Sequence, residues 1–428
     1  MTAPATRVAT RPNRQISVLG GMRLCVVAHS AFPTLAGEPK GHVGGVERQT
    51  SLLARWLAAR GYGVSVLTWD EGQPDDLVID GVRVTKICRR NAGLRGLRFF
   101  HPRWTGLVRA MREADADVYY HNCGEYVTGQ VALWCRRNGR AFVYSVASDP
   151  DCDPRLPEMK TLRERALYRH GLRSANRVIV QTRTQKHMLR SRFGIESLVI
   201  PMPCAEPADG EWVRPAAPAP ESVRVAWVGR IGTVKRLEWL LDIAEALPEY
   251  SFDVAGAPDE TTPYSQALLA RAAAIRNVAM HGRVNPGDMP RIYRAAACLC
   301  CTSVFEGFPN TFLEAWSHGV PVVSSFDPDH LIAERHLGAV AHDVPGLILA
   351  LRSLLGSPER WKQASANVRR YYLENHTIEA AMPQFEAVFL DALKHPPRGA
   401  AAPGNPRPAT EPTRLVTPQS GADTGSPE

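Results

Sequence analysis

Glu306 and Glu314 stand eight positions apart in the string Glu306-Gly-Phe-Pro-Asn-Thr-Phe-Leu-Glu314, with Gly307, Phe308, Pro309 and Asn310 between them. The pattern puts the first carboxylate on a loop after a strand and the second inside a helix over 309–318. Pro309 suits a first helical turn, where its missing N–H costs nothing. Free amides at such a helix start hold phosphate or hydroxyl-rich ligands. Glu314 lies about 7.5 Å along the axis from Pro309. Side chains tilt back toward the N-terminus, so Glu314 reaches a ligand lying over the helix end. A carboxylate accepts paired hydrogen bonds from vicinal hydroxyls, as on a sugar. Two glutamates at this spacing also arise as a surface charge and a helix-terminus charge. The weight therefore falls on the whole string.

A second group is Gly229-Arg230-Ile-Gly232-Thr-Val-Lys235-Arg236, between an apolar run and a helical pattern. Ligands bind at the C-terminal end of the first strand of such a unit. Arg230 and Lys235, five apart, can point into one cleft there. Charge-assisted hydrogen bonds are worth roughly 1.5–3 kcal/mol each, so two on a diphosphate would stabilise the charge that grows as it leaves. A third group is the loop 41–47, Gly-His-Val-Gly44-Gly45-Val-Glu. Paired glycines let backbone approach a ligand, and the following helix start favours an anion. The loop has neither the P-loop nor the dinucleotide fingerprint. His121, with Asp149 as the alternative, is a polar group at the end of another apolar run.

These residues need elements to hold them. The chain has 428 residues, too many for one ordinary core at roughly 100–200 residues per domain. Hydrophobic residues are 44% and charged residues 22%, a globular balance that excludes a wholly disordered chain. Apolar runs read as strands at 22–28, 63–68, 82–87, 118–121, 141–146 and 177–181. After a proline-bearing linker (206–221) the pattern restarts at 223–228, 251–255, 278–281, 298–302 and 320–324. Helical periodicity lies between most of these runs. The fold class that follows is α/β, with two Rossmann-like, doubly wound units. The first unit covers 22–205 and the second 222–376. A helix within 377–395 follows, with apolar Met382, Phe385, Val388, Phe389 and Leu393. Residues 1–21 read as a flexible arm. Residues 396–428, with eight prolines, read as a disordered tail.

The formal net charge is +8, which favours an anionic ligand or surface. No run of eighteen apolar residues exists, so no spanning helix is expected. The start of the chain lacks the apolar core of a secretion signal. Nine cysteines without regular spacing fit a reducing cytosol. Cys298 and Cys301 lie in an apolar run and read as buried strand residues rather than metal ligands.

With its glycine loop, its Gly-Arg-x-x-x-x-Lys segment and Glu306 to Glu314 spaced E-x7-E, the chain resembles glycosyltransferase family 4. The resemblance covers roughly 22–394. It implies the GT-B fold, with two Rossmann-like domains facing across a cleft, an N-terminal acceptor domain and a C-terminal donor domain. It also implies that the last helix packs back on the first domain. It implies a retaining, metal-independent hexosyl or related transfer from a nucleotide-diphosphate sugar, which is a substrate and not a cofactor. Arg230 and Lys235 would hold the diphosphate, with Gly229, Gly44 and Gly45 lining it. Glu314 would hold the ribose hydroxyls and Glu306 would lie near the sugar. The amides of 307–310 would meet sugar or phosphate oxygens, and His121 would lie near sugar and acceptor. A glycan or lipid-linked acceptor, in bacterial surface or exopolysaccharide synthesis on the cytoplasmic side of the membrane, is the implied setting. A nucleotide-sugar epimerase on the same fold, or a non-catalytic nucleotide- or glycan-binding protein, is the alternative.

The segment 89–112 carries seven arginines and no acid, interleaved with Phe99, Phe100, Trp104, Leu107 and Met111. That mixture suits an anionic bilayer surface or an ordinary arginine-rich surface. No nucleic-acid-binding module is present.

Overall fold

Cys25, Val26 and Val27 have no exposed surface, because the strand that carries them is covered on both faces, as parallel strands are. The computed structural model describes residues 8–9, 21–37, 44–207, 217–219, 223–258 and 261–395. Most of the expected arm and linker, all of the expected tail, and Gly41, His42 and Val43 of the glycine loop lie outside these.

Among the described residues the first sheet has nine strands: β1 (Val8–Ala9), β2 (Arg23–Val27), β3 (Gly63–Thr68), β4 (Val78–Ile79), β5 (Val82–Lys86), β6 (Val118–Asn122), β7 (Ala141–Ser145), β8 (Arg177–Val180) and β9 (Leu198–Val199). Their order is β1-β4-β5-β3-β2-β6-β7-β8-β9. The pairs from β5 to β9 are parallel, and β1 and β4 add an antiparallel edge. Two residues of the expected arm are thus a strand. Among the described residues this half has the α-helices α1 (Phe32–Ala36), α2 (Gly45–Ala59), α3 (Thr105–Ala114), α4 (Tyr126–Asn138), α5 (Leu162–Ser174) and α6 (Arg183–Phe193).

The second sheet is wholly parallel, with order β12-β11-β10-β13-β14-β15. Its strands are β10 (Arg224–Val228), β11 (Ser251–Ala255), β12 (Val278–Gly282), β13 (Cys298–Cys301), β14 (Val322–Ser324) and β15 (Gly338–Val340). Around it lie α7 (Leu237–Ala246), α8 (Pro263–Ala274), α9 (Met289–Ala295), α10 (Asn310–Ser317), α11 (Leu331–Glu334), α12 (Val344–Leu355) and α13 (Pro358–Asn375). Each half thus has the architecture expected from the alternation of strand and helix patterns. In the second half the chain leaves β10 toward β11 on one side and returns to β13 on the other, so a crevice opens at the carboxyl ends of β10 and β13.

The last helix, α14 (Ile378–Lys394), crosses back to the first half. Its Phe389 ring meets Tyr120 of β6 edge-on at 5.5 Å. Asp391 accepts from Arg177 at 2.5 Å, and Glu386 accepts from the Tyr62 hydroxyl at 2.6 Å. One apolar cluster therefore runs from Leu24 and Val26 through Phe312 and Trp316 to Met382 and Phe389. Cys298, Cys300 and Cys301 are buried in β13 as small core residues, and none of the nine cysteines is paired.

Candidate active site

The loop after β10 is tightly wound. Gly256 comes so near that a Cβ there would lie 1.8 Å from the Gly229 carbonyl. Arg236 closes the loop with φ +46° just before α7. Its guanidinium donates to the carbonyls of Thr302 (2.7 Å) and Ser303 (3.0 Å) and to the Ser325 hydroxyl (2.9 Å). The Thr302 hydroxyl donates to the Lys235 carbonyl at 2.6 Å. These bonds tie the β10 loop to the ends of β13 and β14. Arg236 is thus a positioning residue that the sequence pattern showed without its role.

Lys235 forms an ion pair with Glu306, both side chains being largely covered. Two residues 71 positions apart meet at the crevice between β10 and β13. Arg230 is exposed on the same loop. Pro309 is buried and takes the cap position before α10, so the helix begins at Asn310, one residue later than expected.

Glu314 is on the inward face of α10. One carboxylate oxygen accepts from the Tyr293 hydroxyl at 2.7 Å. The other forms an ion pair with Arg48, which comes from α2 in the opposite half. Asn310, also on α10, accepts from Gln49 of α2 at 2.6 Å. A cleft of about 540 Å³ opens here, lined by Arg48, Gln49, Asn285, Asn310 and Glu314 among others. Lys235 and Glu306 are outside its lining. The four expected charges therefore divide into a touching pair, Lys235 with Glu306, a partnered Glu314 beside the cleft, and an exposed Arg230.

Two of the backbone groups expected at the ligand have close neighbours within the chain. Gly45 was expected to let backbone approach a ligand; a Cβ on Gly45 would lie 2.2 Å from the Asn310 side-chain Nδ2. Its bareness makes room for the opposite half, while Gly44 caps α2 in extended conformation. The amides of 307–310 were expected on sugar or phosphate oxygens. Here the Phe308 amide donates to the Gln181 side-chain oxygen at 2.6 Å. A Cβ on Gly307 would lie 2.2 Å from the Ala147 carbonyl. The Phe308 ring is buried against Trp316 and His376, so it is a core side chain. The two halves thus meet directly over this loop.

His121 lies at the end of β6 with 2% of its surface exposed. Its Nδ1 is 2.8 Å from the Val27 carbonyl. A carbonyl only accepts, so Nδ1 carries the proton and Nε2 presents a lone pair. Nε2 is buried and has no partner among the described residues. Burial pushes this imidazole down to about 4, so it is neutral at ordinary pH. His29, two residues beyond β2, stacks on Trp69 at 4.3 Å. Burial first, then the positive potential of His121 and Arg103, pushes it down to about 3. Sequence reasoning passed over His29, though its place after the first strand was the available signal. Asp149 accepts from Gln185 at 3.0 Å. Burial raises its carboxyl above the ordinary value, and the negative charges of Asp329 and Glu306 add to this. Its neighbour Asp151 is buried and pushed up to about 6, and it accepts from the amides of Ala147 and Ser148.

Residues 43–204 match the family described as Glycosyltransferase Family 4, and residues 222–357 match Glycosyl transferases group 1. A D-inositol 3-phosphate glycosyltransferase of Mycobacterium avium is 26% identical over 408 residues, covering 85% of this chain and 93% of that protein. The Mycolicibacterium smegmatis enzyme of the same name is 25% identical over 53% of this chain, and the match spans 56% of its length. Among solved structures, a sucrose-phosphate synthase from Thermosynechococcus elongatus superposes with TM-score 0.70 at 18% identity, covering 87% of this chain and 99% of that one. The Anabaena protein HepE, solved with UDP and glucose, gives TM-score 0.67 at 16% identity, covering 86% and 99%. Both likenesses are of fold.

Proposed function

We propose that this chain, which belongs to glycosyltransferase family 4 and has the GT-B fold, is a retaining, metal-independent transferase. It would move a hexose or related sugar from a nucleotide-diphosphate sugar to a glycan or lipid-linked acceptor. The observation that carries this reading is the Lys235–Glu306 contact at the crevice between β10 and β13, with Arg230 on the same loop. A diphosphate entering there would meet two cations carried on one loop. Glu306, now held by Lys235, would be released to the sugar as the phosphate takes its place.

In the step this supports, the bond from the sugar carbon to the phosphate oxygen breaks and one from that carbon to the acceptor oxygen forms. Both events occur on one face, so configuration is retained. The acceptor's proton passes to the departing phosphate oxygen, and no protein carboxylate forms a covalent intermediate. Lys235 and Arg230 stabilise the growing phosphate charge in a partly dry site, where such stabilisation is largest. Neutral His121, with its bare Nε2, would accept a hydrogen bond from a sugar hydroxyl. Glu314, oriented by Tyr293, would accept from the ribose.

Membrane-associated polysaccharide assembly on the cytoplasmic side is the setting this reading favours. The test is incubation with UDP-, GDP- and ADP-sugars, read as donor hydrolysis and as protection against melting. D-inositol 3-phosphate belongs in the acceptor panel, since the mycobacterial relatives are named for it. Release of nucleotide diphosphate from one donor, with an α-linked product from an α-linked donor, is expected. No protection by any nucleotide sugar would remove the reading.

A further inference from the structure

Four large apolar side chains at one end of the first half face water. Leu94 is 74% exposed, Leu97 62%, Phe100 52% and Leu162 81%. Burial of apolar surface drives folding, so such a cluster marks a surface that meets something else. The geometry is ordered. Overlapping turns carry the chain from Leu94 to His101, with Leu97 and Arg98 amides donating to the Leu94 carbonyl and Phe100 and His101 amides to the Leu97 carbonyl. Residues three apart on successive turns share a side. Leu94, Leu97 and Phe100 therefore point together. Phe99 is buried against Trp104 and Tyr126, at 5.6 and 5.3 Å, and its ring meets that of half-exposed Phe100 edge-on at 5.0 Å. One ring anchors the segment while its neighbour is displayed.

Positive charge accompanies this apolar cluster. Arg95 is exposed beside these side chains and Arg98 is half-exposed. Arg89 is 80% exposed and lies 3.8 Å from Asp70. Exposed Arg163 lies over the Phe99 ring at 3.7 Å. That contact brings the first turn of α5, and Leu162 with it, to the same end of the domain.

The segment follows β5, which runs parallel with β3, β2 and β6, so it emerges at the sheet edge where His121 ends β6. Arg103 lies over Trp69 at 5.7 Å, and Trp69 stacks on His29. The root of the apolar segment is thus the mouth of the first half.

We propose that Leu94, Leu97, Phe100 and Leu162, ringed by Arg95, Arg98 and Arg163, dock this protein on an anionic lipid bilayer. The apolar side chains enter the boundary between headgroup and acyl chain, and the guanidinium groups pair with lipid phosphates. No described helix is long and apolar enough to cross a membrane, so the contact is peripheral. Docked in this way, the mouth beside His29 and His121 faces the bilayer, where an acceptor carried on lipid arrives. Only this last clause rests on the glycosyl-transfer reading.

The experiment is sedimentation of the full chain with vesicles of phosphatidylcholine alone and of phosphatidylcholine with phosphatidylglycerol. Partition onto the anionic vesicles should exceed that onto neutral ones about tenfold or more, since each arginine near the surface contributes several-fold. The triple variant Leu94→Ser, Leu97→Ser, Phe100→Ser should lose about tenfold of that partition, and Arg95→Glu with Arg98→Glu a similar factor. Both variants should hydrolyse nucleotide sugar as the parent does. Equal recovery on both vesicle types overturns the proposal, as does full binding by the triple variant. A concentration-dependent dimer that the triple variant abolishes also overturns it, because the patch would then belong to a second copy. Vesicle binding without donor hydrolysis would sink the catalytic reading and leave this one standing. The reverse result would do the opposite.

Discussion

Arg48 of α2 and Glu314 of α10 form an ion pair across the cleft, joining residues from opposite halves. Both carboxylate oxygens of Glu314 are engaged, one by Arg48 and one by Tyr293. A carboxylate has about four lone-pair sites, so room remains for ribose hydroxyls while the side chain is held still. Removing either partner leaves the other poorly paired in a largely buried place. A double-mutant cycle with Arg48→Ala and Glu314→Gln, read by melting, should give a coupling of roughly 1–3 kcal/mol. Glu314→Gln should also raise the donor KM about tenfold or more. Additive melting effects would show that the pair contributes nothing across the cleft.

Lys235 and Glu306 make the second test. Lys235→Ala removes a cation aimed where charge develops, and such removals cost about 10²–10³ in rate. The side chain is largely covered but is not part of the apolar core, so the variant should melt close to the parent. Glu306→Gln should lower kcat more than it raises the donor KM. Turnover of Lys235→Ala within a few-fold of the parent would remove the phosphate role.

His121 gives a prediction in pH. Its imidazole is held down to about 4 in the fold, against 6.5 when free. Between these values the unfolded chain binds a proton that the folded chain does not. Stability on this account is full above 6.5 and falls as pH drops toward 4. His29 and His376, pushed down to about 3 and about 4, act in the same direction. Asp151, pushed up to about 6, has the opposite sign and loses stability as pH rises through that value. Replacing His121 with Asn removes one proton from this balance. The stability lost on moving from pH 7 to 4.5 should shrink by up to about 3 kcal/mol. Parallel losses in parent and variant would mean that His121 titrates normally in the fold.

Much of the frame was legible because parallel strands buried on both faces are apolar runs. The runs at 63–68 and 251–255 became β3 and β11 without change. The longest described helix was missed. In α13 the inward face is Trp361, Ala364, Ser365, Val368, Arg369 and Tyr372, so small and polar residues hid its period. The Arg369 guanidinium is buried, and its donation to the Ser317 carbonyl at 2.7 Å offsets part of the lost hydration. The site was legible where function needs a string and illegible where it needs a partner. Glu306 and Lys235 are visible in their motifs. Gln181, 127 positions from Phe308, carries no local mark, and neither does Arg48 as the partner of Glu314. Gly45 carries the same ambiguity. A bare backbone shows that something comes near, not whether that is a ligand or Asn310.

Gly307 tests whether the halves must touch. A methyl group there would press on the Ala147 carbonyl, a backbone atom, and on the Gln181 side chain. Backbone does not yield cheaply, so Gly307→Ala should cost roughly 1–3 kcal/mol or widen the cleft. Gln181→Ala leaves the glycine in place and removes only the acceptor for the Phe308 amide. If contact over this loop holds the halves together, both variants should increase the radius of gyration in solution scattering. A parent-like value in both would show that other contacts suffice.

Asp329 is one such contact. It follows β14 in the second half with φ +52°, a strained value for a residue with a Cβ. Its carboxylate accepts from the Arg183 amide at 2.6 Å, and from the Thr184 amide and hydroxyl at 2.8 Å each. These amides are in the first turn of α6, in the first half. A helix start is a natural seat for a carboxylate, because its first amides lack partners within the helix. The second half thus caps a helix of the first, which fixes one edge of the cleft. Asp329→Ala should cost about 0.5–2 kcal/mol, the range for loss of a cap. It should also weaken the hold between the halves, which hydrogen exchange would register as faster exchange at the Arg183 and Thr184 amides. Asp329→Gly should cost less than the alanine change, since glycine accepts the positive φ without strain. Equal costs for the two variants, with unchanged exchange in α6, would show that the cap adds nothing to closure.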